Sequence, residues 1–257
     1  MIENKNQNEN QKQNRKLDVR KMTLVAMICA VAITAVAIIR IPIVAFLYYE
    51  PKDVAIAIGG FLLGPFAALL MSIVVSFIEM LTISADGFYG LLMNIIATST
   101  FVCTAAFIYK KNRTMKGAVI GLIVGIAVNV PVMLLWNYLV VPLYLGVPRA
   151  AVAGMLVPIF LPFNLVKGVL NAAFIMLLYK PLSAALKKAR MFPATAKAAP
   201  ATKKINLGVT IVSLFAILTC VLYVIVLRSD SGDDNGQYNE SYNVEADSNG
   251  YDSYDQD

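Results

Sequence analysis

Long apolar runs recur along most of this chain, and they constrain its fold more than any other feature. Each run is close to the ~20 residues that an α-helix needs to cross a bilayer core of roughly 30 Å. Composition agrees, because 58% of the residues are hydrophobic, only 15% are charged and the mean hydropathy is +0.67. A soluble domain of this length does not need so much apolar surface. We therefore predict an all-α integral membrane protein, folded as a helical bundle.

Polar segments divide the chain into regions. The lead 1–21 is rich in Asn, Gln and Lys and is expected to be disordered. A six-helix membrane domain follows over 22–190, and Gly64-Pro65 is expected to join its second and third helices with almost no loop. A basic linker, an extra transmembrane helix and an acidic disordered tail complete the chain, at 191–205, 206–228 and 229–257. The predicted spans are about 22–39, 53–63, 65–84, 88–109, 118–141, 162–182 and 207–227.

Lysine and arginine in the short connections predict the orientation, because basic residues are retained on the cytoplasmic side. The N-terminal lead, the 110–116 loop and the 180–204 segment are all basic, and this helix count puts them on one side. The N-terminus is thus expected in the cytoplasm. The loops 40–52, 84–88 and 142–160 and the acidic tail are expected outside.

Most enzymatic chemistry lacks a basis in this sequence. Histidine is absent, and Cys29, Cys103 and Cys220 lie far apart in separate apolar runs, so neither a metal site nor a disulfide framework is supported. There is no phosphate-binding loop G-x-x-x-x-G-K-[ST] and no G-x-S-x-G nucleophile motif. We predict a non-enzymatic protein, and any energy for transport must come from a gradient or a partner.

Polar residues inside the spans point to a ligand site, since each costs free energy in hydrocarbon unless it is paired or faces a cavity. Asn164, Lys167 and Asn171 share one face of a helix through their i, i+3, i+7 spacing. The functional interpretation is a ligand-facing stripe. The structural alternatives are that Lys167 pairs with Glu79 of the third helix, or extends to the membrane surface.

Other amides have similar alternatives. Asn137 offers donors and an acceptor beside Trp136 and Tyr138, although these aromatics alone are equally typical of an interfacial belt. Asn94 and Asn129 lie deeper, where helix–helix hydrogen bonding explains them as well as ligand contact does.

The segment 46–53, Phe-Leu-Tyr-Tyr-Glu-Pro-Lys-Asp, combines aromatics and opposite charges where the chain re-enters the membrane. Asp53 is expected to cap the second helix, whereas the sequence suggests no comparable structural role for Glu50. In the first helix, Ala26 and Ala30 form a small-xxx-small surface that permits close approach of another helix.

Several of these segments together resemble a known family. They are Tyr48-Tyr49-Glu50-Pro51-Lys52-Asp53-Val54, Gly59-Gly60-Phe61-Leu62-Leu63-Gly64-Pro65, Asn137-Tyr138 with Pro142 and Tyr144, and Pro162-Phe163-Asn164-Leu165-Val166-Lys167-Gly168. From about Lys21 to Arg190 the chain resembles the riboflavin-specific S-components of energy-coupling factor (ECF) transporters. The seventh helix and the acidic tail lie outside that six-helix pattern.

The resemblance implies a multi-pass protein of the bacterial cell membrane that captures riboflavin externally. It implies that Asn137, Asn164 and Lys167 meet the polar edge of the isoalloxazine ring. The first external loop and the outer parts of helices four to six would line or close the pocket, through Leu47, Tyr48, Glu50, Asn94 and the Gly87-to-Gly90 loop. The first helix, with Ala26 and Ala30, would contact a transmembrane T-component, and two cytoplasmic ATPases would supply energy. No cofactor is implied beyond the transported vitamin.

Two other functions compete with this interpretation. A stand-alone secondary transporter of a flavin or another small vitamin would be expected to carry an inverted repeat or a buried acidic proton relay, but no repeat is clear and Glu79 is the only acid expected to be well buried. An intramembrane enzyme has little support without histidine, a metal cluster or a nucleophile motif.

Overall fold

A computed structural model describes residues 2–44, 47–84, 86–188, 208 and 210–225 of the chain. The described part is a helical bundle with one short hairpin, which confirms the predicted all-α membrane fold. The helices are α1 Ile2–Ile38, α2 Lys52–Leu63, α3 Pro65–Thr82, α4 Gly87–Lys111, α5 Met115–Leu145, α6 Arg149–Met155, α7 Leu161–Lys188 and α8 Thr210–Ile225; the strands are β1 Ile41–Val44 and β2 Leu47–Tyr49. The linker 191–205 and the tail 229–257 lie outside the described residues.

The first helix is longer than predicted. It begins at Ile2 and continues without a break to Ile38, so the backbone of the lead is helical where disorder was expected. Glutamine, lysine and glutamate favour helix, and the lead adjoins an apolar helix that has already nucleated, so each added residue gains a hydrogen bond without a new nucleus. Its apolar stretch, Val19–Ile38, is long enough to cross a membrane.

The second and third helices meet at Gly64, as predicted. Leu63 ends α2 and Pro65 begins α3, with Gly64 between them at φ +101°. Residues with a side chain rarely adopt that dihedral, whereas glycine does so freely. Pro65 suits the first helical position because its missing N–H has no partner there anyway. This tight turn directs α3 back along α2.

The region 142–160 differs from the predicted loop. Helix α5 continues to Leu145, and after a short break α6 leads through one π-helical turn, Leu156–Phe160, directly into α7. Arg149–Tyr179 is therefore one membrane-length stretch, rather than a span that starts near Pro162. The prolines do not break it because Pro148 precedes the helix and the widened π turn accommodates Pro158.

Five of the described helices are long and apolar enough to cross a membrane, and α8 is a shorter apolar helix. Two buried clusters hold them together. One joins helices α1, α2, α3, α4, α5 and α7, and it includes the fully buried Met71, Val102 and Ile175. The other lies at the hairpin end, where Cys220 of α8 joins Ile43 and Tyr49. The extra C-terminal helix thus packs against the bundle beside the hairpin.

Candidate ligand-binding site

A pocket opens at the end of the bundle that carries the hairpin and the α3–α4 connection. Its cavity volume is about 40 Å³, within about 700 Å³ of space free of protein atoms that includes the open mouth. Its walls are apolar in part and include aromatic rings, and they are interrupted by amides and charges. The apolar lining includes Leu47, Met93, Phe101, Met133 and Phe163; the polar lining includes Arg40, Tyr48, Glu50, Asp53, Asp86, Asn94, Asn129, Asn137, Asn164, Lys167 and Asn171. Apolar walls with a few placed polar groups are typical of small-molecule sites.

Lys52 forms the centre of a buried charge cluster under the hairpin. Its side chain is fully buried, and its ammonium contacts Glu79 of α3 and lies 2.7 Å from the Glu50 carboxylate. Glu79 also accepts a hydrogen bond of 3.2 Å from Asn94. The structural alternative that paired Lys167 with Glu79 is therefore wrong, because Lys52 contacts Glu79 and Lys167 lies beside Asp53. Removing Lys52 would leave the buried Glu79 carboxylate without its cation, whereas Glu50 would keep Arg40.

Arg40 ties the hairpin to the mouth of the pocket. Its guanidinium lies 3.2 Å from Glu50 and 3.8 Å from Asp86, and it donates a hydrogen bond to the Ile83 carbonyl. It also lies over the Tyr48 ring, 4.4 Å from the centroid. Burial raises the pKa of Glu50, but the positive charges of Lys52, Lys167 and Arg40 outweigh it, so the net pKa lies below the usual value. Glu50 thus anchors the hairpin as a carboxylate.

Asp53 connects three helices and does not cap α2. Pro51 is the N-cap residue, and Asp53 lies inside the first turn of the helix. Its carboxylate accepts hydrogen bonds from Thr98 of α4 at 2.6 Å and Asn171 of α7 at 3.1 Å. Lys167 lies 3.6 Å away. The cap prediction is wrong because these partners from other helices draw the side chain into the bundle.

Among the residues that the structure describes, three acids are buried where only Glu79 was expected. Glu50, Asp53 and Glu79 are 5%, 2% and 1% exposed. Glu50 and Asp53 flank Pro51 in the sequence, at a predicted membrane surface, so their burial could not be predicted from their position in the chain. The sequence signal for buried ion pairs here was the run Glu-Pro-Lys-Asp, which puts opposite charges at the start of an apolar helix.

The pocket brings together most of the predicted ligand residues. Asn94, Asn137, Asn164 and Lys167 come from α4, α5 and α7, and Leu47, Tyr48 and Glu50 from the hairpin side. Phe46 lies outside the described residues. Asn164 is fixed by the π turn, since its amide nitrogen donates to the Phe160 carbonyl at 2.8 Å. Its amide oxygen is therefore left to accept from another group.

The two predicted glycines lie apart from this pocket. Gly87 and Gly90 form the first turn of α4 rather than a loop. Gly87 is exposed, and Gly90 lines a side cavity of about 40 Å³ with Trp136 and Tyr144. Asp86 borders both cavities. A Cβ on Gly90 would lie 2.6 Å from the Asp86 Cβ, so this glycine permits the close approach of the carboxylate that Tyr144 and Arg40 contact.

Comparisons with known proteins identify the family. A family described as "ECF transporter, substrate-specific component" matches residues 20–179. The chain belongs to this family. It is 29% identical over 186 residues to the riboflavin transporter RibU of Staphylococcus aureus, covering 68% of this chain and 97% of that protein. It is 25% identical over 191 residues to the riboflavin transporter FmnP of Bacillus subtilis, again covering 68% and 97%.

A solved S component of a bacterial ECF transporter has the same fold. It superposes with a TM-score of 0.57 at 28% identity, covering 66% of this chain and 99% of the solved one. The family match ends at residue 179, so α8 lies beyond it. As an ECF substrate-specific component, this chain is a multi-pass membrane protein of a transport family.

In this S component, the alanines predicted to contact a partner are exposed. Ala26 and Ala30 lie on the outer face of α1, while Leu24, Ile28 and Ala32 are buried against the bundle. A row of small exposed side chains allows another helix to approach closely. The partner itself remains a prediction.

Proposed function

We propose that this chain captures riboflavin on the external side of the bacterial cell membrane, as the substrate-binding subunit of an ECF transporter. Family membership and the riboflavin transporters among its relatives support this proposal. The observation that carries it is the pocket, where Asn137, Asn164 and Lys167 border apolar and aromatic walls.

The chemistry of the ligand matches these walls. The isoalloxazine ring is flat and apolar over most of its faces, and it has carbonyl oxygens, ring nitrogens and one imide N–H along one edge. Lysine supplies donors only, whereas asparagine supplies both donors and an acceptor. Phe101, Phe163 and Met133 offer apolar surface to the ring faces. Lys167 and the amides of Asn137 and Asn164 would then meet its polar edge.

Energy is proposed to come from a T-component and two ATPases. The sequence has no phosphate-binding loop with which this chain could hydrolyse ATP. The rival secondary transporter would use buried acids as a proton relay, and Glu50, Asp53 and Glu79 are indeed buried. Each of them contacts a lysine, however, which is the arrangement of fixed counter-ions rather than of a relay.

The test is direct because riboflavin is coloured and fluorescent. Protein purified in detergent should be yellow and should release riboflavin on denaturation, identified by chromatography. Liposomes that contain the chain alone should bind the vitamin without concentrating it, and adding the T-component, the ATPases and ATP should produce accumulation. Colourless protein that takes up no riboflavin on titration would contradict the ligand. Accumulation by the chain alone would favour the secondary transporter.

The proposed orientation has its own test. With the N-terminus in the cytoplasm, the hairpin and the pocket mouth face outside. A single cysteine in place of exposed Phe88, in a background without Cys29, Cys103 and Cys220, should react with an impermeant maleimide in intact cells. A cysteine at exposed Asn112 should react only after lysis. The reverse pattern would overturn the orientation.

A further inference from the structure

Helix α8 packs closely against the bundle at one end only. Near the hairpin, Cys220 belongs to the buried cluster that contains Tyr49, and Ile217 packs against that cluster. Where the described part of this segment begins, Gly208 is exposed, and a Cβ built on it would meet no atom within 4 Å. The start of α8 therefore stands off from α5 and α7, at the end of the bundle away from the hairpin.

The space between these three helices is a cavity of about 420 Å³. Ser213 carries the only polar side chain among its described lining residues. The deep end is closed where α7 packs on α5, since a Cβ on Gly168 would lie 3.0 Å from Ile126. At the sides, the lining residues Ile123 and Val212 are 60% and 67% exposed, so the cavity opens to the surrounding bilayer.

Hydrocarbon suits this cavity better than water does. A buried water needs two to four polar partners, which one serine cannot provide. Without any occupant, the lining side chains would lose their dispersion contacts. The cavity extends over Val119–Ile126 of α5, Val169–Met176 of α7 and Gly208–Ala216 of α8, or roughly 10–12 Å at 1.5 Å per residue. This length lies within one leaflet of a hydrocarbon core of roughly 30 Å, so a lipid acyl chain fits along it.

A basic side chain lies at the end of the cavity nearest the membrane surface. Lys116 is exposed in the first turn of α5, and its spacing to Val119 and Ile123 puts all three on one face of the helix. None of the ion pairs seen among the described residues involves Lys116. Its ammonium can therefore extend to the level of the lipid headgroups, where basic residues attract anionic lipids.

From this arrangement we propose that α5, α7 and α8 hold one anionic phospholipid of the leaflet opposite the hairpin, with an acyl chain in the cavity and its phosphate beside Lys116. The lipid joins the standing-off end of α8 to the bundle. Because the family match ends at residue 179, this site is an addition of this chain to the shared fold, and it does not depend on which vitamin the ligand pocket takes.

The test measures lipid binding by the full chain. Protein is purified in mild detergent, stripped of lipid and titrated with phosphatidylglycerol or phosphatidylcholine of identical acyl chains, and native mass spectrometry counts the bound lipids. The wild type should bind one phosphatidylglycerol about fivefold more tightly than phosphatidylcholine, the preference that one lysine near the surface provides. Lys116→Gln should make the two affinities equal.

Two further variants fill the cavity from facing sides, Ala216→Phe from α8 and Ala172→Phe from α7. Each should weaken the binding of both lipids at least about tenfold, because every methylene displaced from the cavity is worth about fourfold in affinity. The matched control is Ala37→Phe, at an exposed position of α1 that does not line the cavity, and it should bind lipid like the wild type.

Three results would overturn the proposal. They are unchanged lipid affinity in both cavity-filling variants, equal affinity of the wild type for the two lipids, and a wild-type dimer that Ala216→Phe dissociates, which would show that a second copy covers the cavity. If a phenylalanine variant lowers thermal stability, the decision rests on Lys116→Gln, because that side chain is exposed. A preference for phosphatidylglycerol that survives this change would refute the site.

Discussion

Replacing Lys167 by methionine separates its two roles, as a partner of Asp53 and as a ligand contact. Methionine keeps a long apolar stem but removes the charge and every donor. The ammonium lies 3.6 Å from the Asp53 carboxylate, and the two side chains are 13% and 3% exposed. In the structure, Asp53 and not Glu79 is therefore the acid that Lys167→Met would leave without its lysine.

The magnitude follows from this geometry. At 3.6 Å and an effective dielectric of about 20, two unit charges attract by roughly 4–5 kcal/mol before desolvation is subtracted. Removing one partner of a buried pair costs ~3–5 kcal/mol. Asp53 keeps its hydrogen bonds from Thr98 and Asn171, so we expect the lower end, about 3 kcal/mol of stability. Riboflavin affinity should fall by about 1.5–3 kcal/mol, or roughly ten- to 150-fold in Kd.

A double-mutant comparison then distinguishes the roles. Thermal denaturation of the empty protein and riboflavin titration are measured for Lys167→Met, for Lys167→Met with Asp53→Asn, and for Lys167→Met with Glu79→Gln. The Asp53→Asn change should restore stability but not affinity, and Glu79→Gln should restore neither. Rescue of stability by Glu79→Gln would refute the pairing. Rescue of affinity by Asp53→Asn would show that Lys167 acts on the ligand only through Asp53.

Other consequences are open to measurement. Lys52→Met removes the common partner of Glu50 and Glu79, so it should cost about 3–5 kcal/mol; a smaller loss in thermal denaturation than for Lys167→Met would contradict the central role of Lys52. Because its neighbours lower the pKa of Glu50, the stability that Glu50 contributes should be complete above about pH 4.5 and lost as pH falls through the lower folded-state pKa; a stability advantage over Glu50→Gln that does not shrink as pH falls below about 4.5 would count against this. Deleting residues 191–257 should leave riboflavin affinity nearly unchanged, since no described α8 residue lines the pocket, but should lower the melting temperature because Cys220 packs beside Tyr49; loss of binding would show that α8 shapes the site.

The sequence predicted well what depends on spacing along one helix. Apolar runs of membrane length identified the spans, and Gly64-Pro65 identified the turn between α2 and α3. The i, i+3, i+7 stripe put Asn164, Lys167 and Asn171 on one face, and all three line the pocket. Periodicity suffices here because a helix fixes which side chains share a face.

Pairing between helices was not predictable in the same way. Lys52 and Lys167 are both candidates for Glu79, and only the packing of α2 against α3 and α7 decides between them. The hydrogen bond of Asn171 to Asp53 likewise depends on a residue more than one hundred positions earlier in the chain. The hairpin was also missed, since Pro42 and the short strands carry a weak strand signal.

The charges of the pocket further predict that riboflavin is preferred over its phosphorylated form. Among the described residues, each basic side chain that lines the pocket or lies directly under it, Arg40, Lys52 and Lys167, already has a carboxylate partner.

A phosphate on the end of riboflavin's ribityl chain would bring a charge of about −1.5 to −2 into the pocket. Among the described lining residues it would meet the Asp53 carboxylate and the unpaired amide oxygens of Asn129 and Asn171, but no cation without a carboxylate partner. Burying such a charge without compensation costs far more than a hydrogen bond, so flavin mononucleotide should bind at least about tenfold more weakly than riboflavin, a difference of ~1.4 kcal/mol or more. Competition titrations with mononucleotide freed of riboflavin measure this ratio. If Asp53 is responsible, Asp53→Asn should reduce the ratio of the two dissociation constants. Equal affinity of the wild type for the two flavins would show that the phosphate does not lie near Asp53.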